Sequence, residues 1–500
     1  MPQSNKYYSK YKPLRNLSAK YGIEDTVLHC WLYSRYFLHN KPLPHKYFEL
    51  ANANLQPMGI PAWELAVMLR EIVINCNCNN SKSVANYQDL REIINRIKDL
   101  DNETSTQASG DVLLKLHNIA HLQFAWQRPT DLNVLVRHLK IYNSDLLREL
   151  ILEKLGFSAI ELMALGLLLN NHFSDSPTLN ISSFAGGYPN NKRAIYTFLQ
   201  KLTIDINTLR AALKNDQQYD ERWIYTWNPL ELTPLITLQK DNSNLIYCPF
   251  PELLYRRLAE GVYFDIVESS GKFSKSFGDA FQEYVGDVLK EVFRHPDYDV
   301  IAEESFMIGK NVNHGIDWIL SDAKANIFIE CKTKRLKLNS KIDLESEDLN
   351  KDLEAISEAV KQTYKNIDVA RKGLSNWNVN KGKIYPMVIT LEDWFLISPP
   401  LRESINERVK QKLKSSDLPL TYLEDMPYTI SSISSFEKAS YSIFENGIEN
   451  FMSLKVASEY SGWDLKEFAR DKFPTKNKKS NIIFDKELKI FKQEVSTLFT

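Results

Sequence analysis

Gly315-Ile316-Asp317-Trp318 and Ile327-Phe328-Ile329-Glu330-Cys331-Lys332 decide how this chain is read. Both stretches are strand-like, yet they carry an Asp, a Glu and a Lys where a strand should be apolar. In the second, Phe328, Glu330 and Lys332 alternate with Ile327, Ile329 and Cys331, so Glu330 and Lys332 project from one face. Ser321-Asp322-Ala323-Lys324-Ala325-Asn326, between them, has the composition of a turn. A hairpin folded symmetrically about Ala323 and Lys324 sets Asp317 across from Glu330, with β-carbons about 4.5–5.5 Å apart. Two carboxylates so placed can grip one hard cation, with Lys332 beside them.

A phosphodiester is anionic and resists attack, so its hydrolysis needs charge neutralisation and a hydroxide near neutral pH. Mg²⁺, or Mn²⁺ in its place, supplies both and is typically held by one or two carboxylates plus water and substrate phosphate. A lysine beside the metal orients or deprotonates water, or stabilises charge building on phosphorus. The bland reading of the same residues is an exposed edge hairpin with an ordinary Glu–Lys pair.

The Asp317 … Glu330-x-Lys332 pattern resembles the PD-(D/E)xK nuclease superfamily, the fold of many restriction enzymes, resolvases and recombination nucleases. Ile316 stands where the family usually has proline. The resemblance covers about residues 270–400 and implies an αβββαβ core. The elements are expected as a helix over Ser276–Arg294, a strand over Tyr298–Phe306, the hairpin, a helix over Asp352–Lys372 and a buried strand over Lys383–Thr390. It implies metal at Asp317 and Glu330, and catalysis by these two with Lys332. Many members place a glutamate in the first helix. Phe281-Gln282-Glu283-Tyr284-Val285 carries one shifted by a residue, so Glu283 is a candidate metal ligand, although it points away from the apolar stripe; Glu303 or Glu304 is the alternative. Lys361-Gln362-Thr363-Tyr364 resembles the glutamine-plus-tyrosine helix of several branches, making Gln362 either a catalytic-face residue or an ordinary surface one.

Lys332, Lys334, Arg335, Lys337 and Lys341 follow the site in sequence, and Lys334, Arg335 and Lys337 are the candidate contacts to DNA phosphates. A second cluster, Arg470, Lys472, Lys476, Lys478 and Lys479, surrounds Pro474 and reads as a solvated loop. Net charge is −1, which argues against a protein that coats nucleic acid over its whole surface.

The 500 residues exceed one core and imply a multidomain protein. We expect a mainly α-helical region over 1–226, for recognition or regulation, a bridge over 227–267, the α/β restriction-endonuclease-like nuclease domain over 268–440, and a helical extension over 441–500. Within the first part, Arg193–Leu202 and Ile206–Lys214 form a short helical pair, read as a packing unit before a helix-turn-helix reader. Five cysteines without framework spacing indicate free thiols; Cys76-Asn77-Cys78 lacks the second pair a zinc site needs. His117 and His121 are read as structural, and His314 as a turn residue. No apolar run is long enough to span a membrane and the N-terminus lacks a secretory core, so a cytoplasmic protein is expected.

The expected activity is Mg²⁺-dependent DNA hydrolysis, alone or with a protein activator, with homodimerisation left open. The resemblance also suggests a setting in restriction or anti-phage defence. RNA cleavage, or a non-catalytic scaffold that keeps the fold, are the alternatives.

Overall fold

The computed structural model describes residues 2–44, 60–76, 87–105, 116–123, 132–220, 222–238, 244–267, 271–308, 310–396, 398–474 and 483–498. Its architecture is mixed α/β. Helices α1 (Pro2–Ser18), α2 (Ile23–His39), α3 (Ala62–Asn75) and α4 (Tyr87–Ser105) open the chain. α3 is apolar on nearly every face, and it is buried on nearly every face. Three charged side chains, Glu64, Arg70 and Glu71, are buried on it, and the fully buried Glu71 carboxylate accepts from Tyr11 Oη (2.7 Å), Gln217 Nε2 (3.0 Å) and Trp223 Nε1 (3.1 Å). Those bonds tie the segment around residues 217–223 to the first helices.

Helices α5 (Leu132–Tyr142), α6 (Arg148–Leu155) and α7 (Ala159–Asp175) follow. Ser158 and Glu161 form a reciprocal capping box at the start of α7. Strands β1 (Thr178–Asn180), β2 (Thr203–Asp205), β3 (Leu235–Thr237) and β4 (Leu245–Tyr247) make a small sheet in the order β1-β4-β3-β2. The helical pair α8 (Lys192–Lys201) and α9 (Ile206–Asp216) is joined by β2. α8 buries Ile195, Phe198 and Leu199 in one core, and α9 buries Leu209 and Leu213 in another, so each helix packs one face.

Helix α10 (Pro251–Ala259) leads into α11 (Gly271–Val292) and the main sheet. Its strands are β5 (Asp299–Ala302), β8 (Trp318–Ser321), β9 (Ala325–Lys332), β10 (Lys383–Thr390) and β11 (Thr429–Ser432), in the order β11-β10-β9-β8-β5. β5, β8 and β9 are antiparallel, whereas β9, β10 and β11 run parallel. The crossover between β9 and β10 carries α12 (Glu347–Arg371). Pro386 lies in central strand β10, which is tolerated because β11 pairs only from Met387 onward and Pro386 still stands on an edge. α13 (Pro399–Ser415), α14 (Ile433–Asn446), α15 (Ile448–Lys455), α16 (Leu465–Lys472) and α17 (Asp485–Leu498) complete the chain.

Period-two alternation sorts the sheet's faces. Trp318, Leu320, Ile327, Ile329, Met387 and Ile389 pack toward α11. Ile319, Phe328, Ile384 and Val388 pack toward α12 and α13. The first of these cores also takes in Leu135 through Leu202, so the sheet and α5–α8 share one interior. The boundary expected at residue 226 is therefore not a break in packing. The strand expected over Tyr298–Phe306 also divides: it leaves the sheet after Ala302 and continues as β6 (Ser305–Ile308), paired with β7 (Asn311–His314) in a separate two-stranded ribbon. Among the described residues no helix is long and apolar enough to cross a membrane.

Candidate active site

The β8–β9 register pairs Trp318 with Ile329 and Ser321 with Asn326. Extending it by one residue sets Asp317 opposite Glu330. Asp317 stands where the chain enters β8 from the ribbon. Its main-chain carbonyl accepts Glu303 N–H (2.9 Å), and its side-chain Oδ2 accepts the Cys331 N–H (2.6 Å). Glu330 Oε1 accepts Lys332 Nζ at 2.6 Å. Each carboxylate thus has one oxygen held by the protein. Glu330 is buried, 6% exposed; Asp317 is half-buried.

Burial and the neighbouring Glu330 charge push the Asp317 carboxyl up to about 8. Burial also raises Glu330, against the pull of Lys332. Burial works against the Lys332 ammonium, but Glu330 and then Asp317 outweigh it and hold its pKa above the ordinary lysine value. Two carboxylates in a low-dielectric setting thus share less compensating charge than they need, which is the state a divalent cation relieves. The donor set fits an open Mg²⁺ site, in which two carboxylates suffice and waters fill the rest. Among the described residues no three His, Cys, Asp or Glu side chains converge as a closed metal cage.

Glu303 supplies the neighbouring negative charge that Glu283 was expected to bring. It raises both Asp317 and Glu330, and it accepts Gln282 Nε2 (2.8 Å) while pairing with His314 Nδ1 (3.2 Å). Glu283 itself is exposed on α11, where partial burial and then the charges of Asp287, Asp145 and Asp279 raise its carboxyl pKa. It is not part of the site: one residue is about 100° around a helix, so Gln282, not Glu283, faces β5. Glu304 is exposed, with its carbonyl bonded to Gly315 N–H. Gln362 is half-buried on α12, and among the described residues no hydrogen bond joins it to Asp317, Glu330 or Lys332.

Trp318 locks the entry to β8 from the other face of the sheet. Its Nε1 donates to the Gln282 carbonyl (2.8 Å), and its ring occupies the space left by Gly286, where a Cβ would meet Cζ2 at 2.0 Å. A glycine inside an otherwise well-patterned helix was the sequence signal for this close approach.

The basic residues after β9 are engaged with carboxylates. Lys334 pairs with buried Asp352 (2.9 Å), Lys337 with Asp348 (2.7 Å), and Lys341 with Glu392 (4.0 Å). Arg335 pairs with Glu392 (3.0 Å) and stacks its guanidinium on Tyr263. These charges anchor the loop after β9 before they meet any ligand. His117 Nε2 donates to the Ser340 carbonyl (2.8 Å) in the same region, a structural placement. Cys331 is partly buried and packs against the α11-side core. Cys78, Lys476, Lys478 and Lys479 lie outside the described residues.

Comparison of the chain with family models, with curated proteins and with solved structures found no match.

Proposed function

We propose that this protein is a metal-dependent nuclease that hydrolyses DNA phosphodiester bonds at Asp317, Glu330 and Lys332. The observation that carries the reading is the strand register, which opposes two raised-pKa carboxylates and sets a charged lysine on the same face as one of them. The order α11-β5-β8-β9-α12-β10 supports a restriction-endonuclease-like core with the β6–β7 ribbon inserted. Mg²⁺ would be held by Asp317 and Glu330, where it supplies phosphate neutralisation and an acidified water. The Cys331 N–H fixes one Asp317 oxygen, so the other is presented in a set direction. Lys332, kept protonated by Glu330, acts as a point charge on the phosphate, not as the base.

The test is cleavage of plasmid, linear DNA and matched RNA with Mg²⁺ or Mn²⁺, comparing wild type with Asp317→Ala and Lys332→Ala. Cutting that both substitutions abolish supports the reading, and the preferred polymer names the substrate. Cutting that survives both refutes the site assignment; no cutting with either metal favours the non-catalytic scaffold.

A further inference from the structure

The carboxyl ends of β9 and β10 open on a cleft of about 2600 Å³, lined by residues 333–338 and 391–396 among others. Its charges are balanced within the protein: Arg137, Lys334 and Lys337, for example, pair with Glu437, Asp352 and Asp348. Asp317, Glu330 and Lys332 lie outside its lining. The feature that the fold itself does not use lies on the other side of Asp317, in the β6–β7 ribbon.

Met307 and Val312, 57% and 63% exposed, are the two most exposed large apolar side chains among the described residues. They are opposed in the β6–β7 register, so they stand together on one face. Such a pair helps hold two strands together, but neither side chain is buried by it. Phe306 and Asn313, opposed on the other face, are half-buried. The ribbon is tied at its base to the candidate site. Gly315 N–H donates to the Glu304 carbonyl (3.3 Å), Glu303 N–H donates to the Asp317 carbonyl (2.9 Å), and His314 pairs with Glu303 (3.2 Å). An apolar pair is thus held out to solvent, with Val312 five residues before Asp317.

Size, composition and shape narrow what covers it. Two side chains fall far short of the roughly 20–30 residues a side that a stable protein interface uses. From Ser305 to Gly315 there is no Asp or Glu in a chain that carries 63 of them, and Lys310 is exposed between the strands. The acids Glu303 and Glu304 stand at the base, so a polyanion meets no like charge along the ribbon itself. Four residue pairs at about 3.4 Å per residue make it about 14 Å long, the rise of about four base pairs of B-DNA. The major groove, about 12 Å wide, admits a two-stranded ribbon, and apolar side chains there read the thymine methyl group.

We propose that the β6–β7 ribbon lies in the major groove of double-stranded DNA, with Met307 and Val312 against thymine methyl groups. The recognition stands on the ribbon alone; that it seats a duplex beside Asp317 for cutting rests on the nuclease reading. Double-stranded RNA is not an equal partner, because its A-form major groove is too deep and narrow for side chains to read.

The experiment is fluorescence anisotropy on the full chain in EDTA, with labelled alternating dA-dT and dA-dU duplexes of about 20 base pairs. The two differ only by a methyl group in the major groove, so phosphate contacts are common to both. Wild type is expected to bind the dT duplex about fourfold tighter or more, the weight of one buried methyl. Met307→Ser and Val312→Ser together are expected to bring dT-duplex affinity down to the dU level, with unchanged thermal melting because both positions are exposed. Equal binding of the two duplexes by wild type, no binding of either, or a preference that survives the double substitution overturns the proposal. So does self-association in sedimentation that the same two substitutions abolish, which would make a second copy of the chain the occupant. If the preference and its loss are seen but neither Mg²⁺ nor Mn²⁺ supports cutting, the nuclease reading falls and the ribbon stands. If cutting depends on Asp317 and Lys332 but dT and dU duplexes are bound and cut alike, the ribbon falls and the nuclease stands.

Discussion

Asp317→Asn separates a metal-poised carboxylate pair from an ordinary hairpin without requiring any substrate. The folded protein carries the Asp317 carboxyl from its ordinary 3.8 up to about 8, through burial first and the Glu330 charge second. The folded state therefore binds more protons than the unfolded chain between those two values, and metal-free stability falls as pH rises through that window. One pKa unit is about 1.4 kcal/mol. Asp317 is only half-buried and titrates jointly with Glu330, so the full displacement is not assigned to it, and about 1–3 kcal/mol is the expected effect. Asparagine keeps an oxygen for the Cys331 N–H and carries no charge. In EDTA, thermal or urea unfolding should show wild type and variant alike below about pH 4, diverging as pH rises, with the variant ahead by about 1–3 kcal/mol near pH 9. Adding Mg²⁺ near pH 9 should stabilise wild type and leave the variant unmoved. A variant that is less stable by the same amount at both pH values, with Mg²⁺ inert on wild type, would show that the pair is neither strained nor a cation site.

Gly286→Ala should destabilise the protein by about 1–3 kcal/mol or more through collision with Trp318, although helix propensity alone predicts a gain near 1 kcal/mol; the sign of the shift in unfolding midpoint decides. Removing the carboxylate of buried Glu437, which accepts Arg137 at 2.8 and 2.6 Å and Tyr284 Oη at 2.7 Å, strands a buried guanidinium and should cost about 3–5 kcal/mol. The double substitution Arg137→Met, Glu437→Leu should recover most of that loss, and additive losses in urea unfolding would refute the account. Lys332→Arg should keep measurable cutting where Lys332→Met keeps none, because the charge is what Lys332 supplies. Equal loss in both, with a pH–rate profile that no longer rises, would instead make Lys332 the base.

Local patterns were legible in the sequence and long-range pairings were not. The Asp317–Glu330 opposition follows from a symmetric turn and a side-chain period of two, both contained in about sixteen residues, and β8 and β9 carry that register. Strand β10 runs over Lys383–Thr390, where an apolar run pointed to it. Glu283 points away from the apolar stripe in the sequence and is exposed in the structure, whereas Gln282, one step round the helix, reaches Glu303, one of the two alternatives to it. The basic run after β9 shows its charges in the sequence but not Asp352, Asp348 and Glu392, which reach it from the α12 N-terminal half and from beyond β10. β11 is four residues of Thr, Ile and Ser, too short and too polar to announce itself, and it becomes a strand because β10 offers a parallel edge.

The arrangement of the sheet makes the separation of site and cleft intelligible. Antiparallel β8 and β9 bring two acidic residues face to face, which demands tight local register and excludes bulky neighbours; Gly286 and Trp318 enforce that from behind. Parallel β9, β10 and β11 instead end on one side: β9 and β10 are followed there by segments of several residues that carry Lys334, Arg335, Trp394 and Phe395, whereas β11 runs directly into α14. Strand β9 belongs to both systems. Its Glu330 and Lys332 answer to the antiparallel partner, and its continuation at Thr333 and Lys334 enters the cleft. The paired carboxylates and the cleft-lining residues that follow them are thus joined through a single strand end.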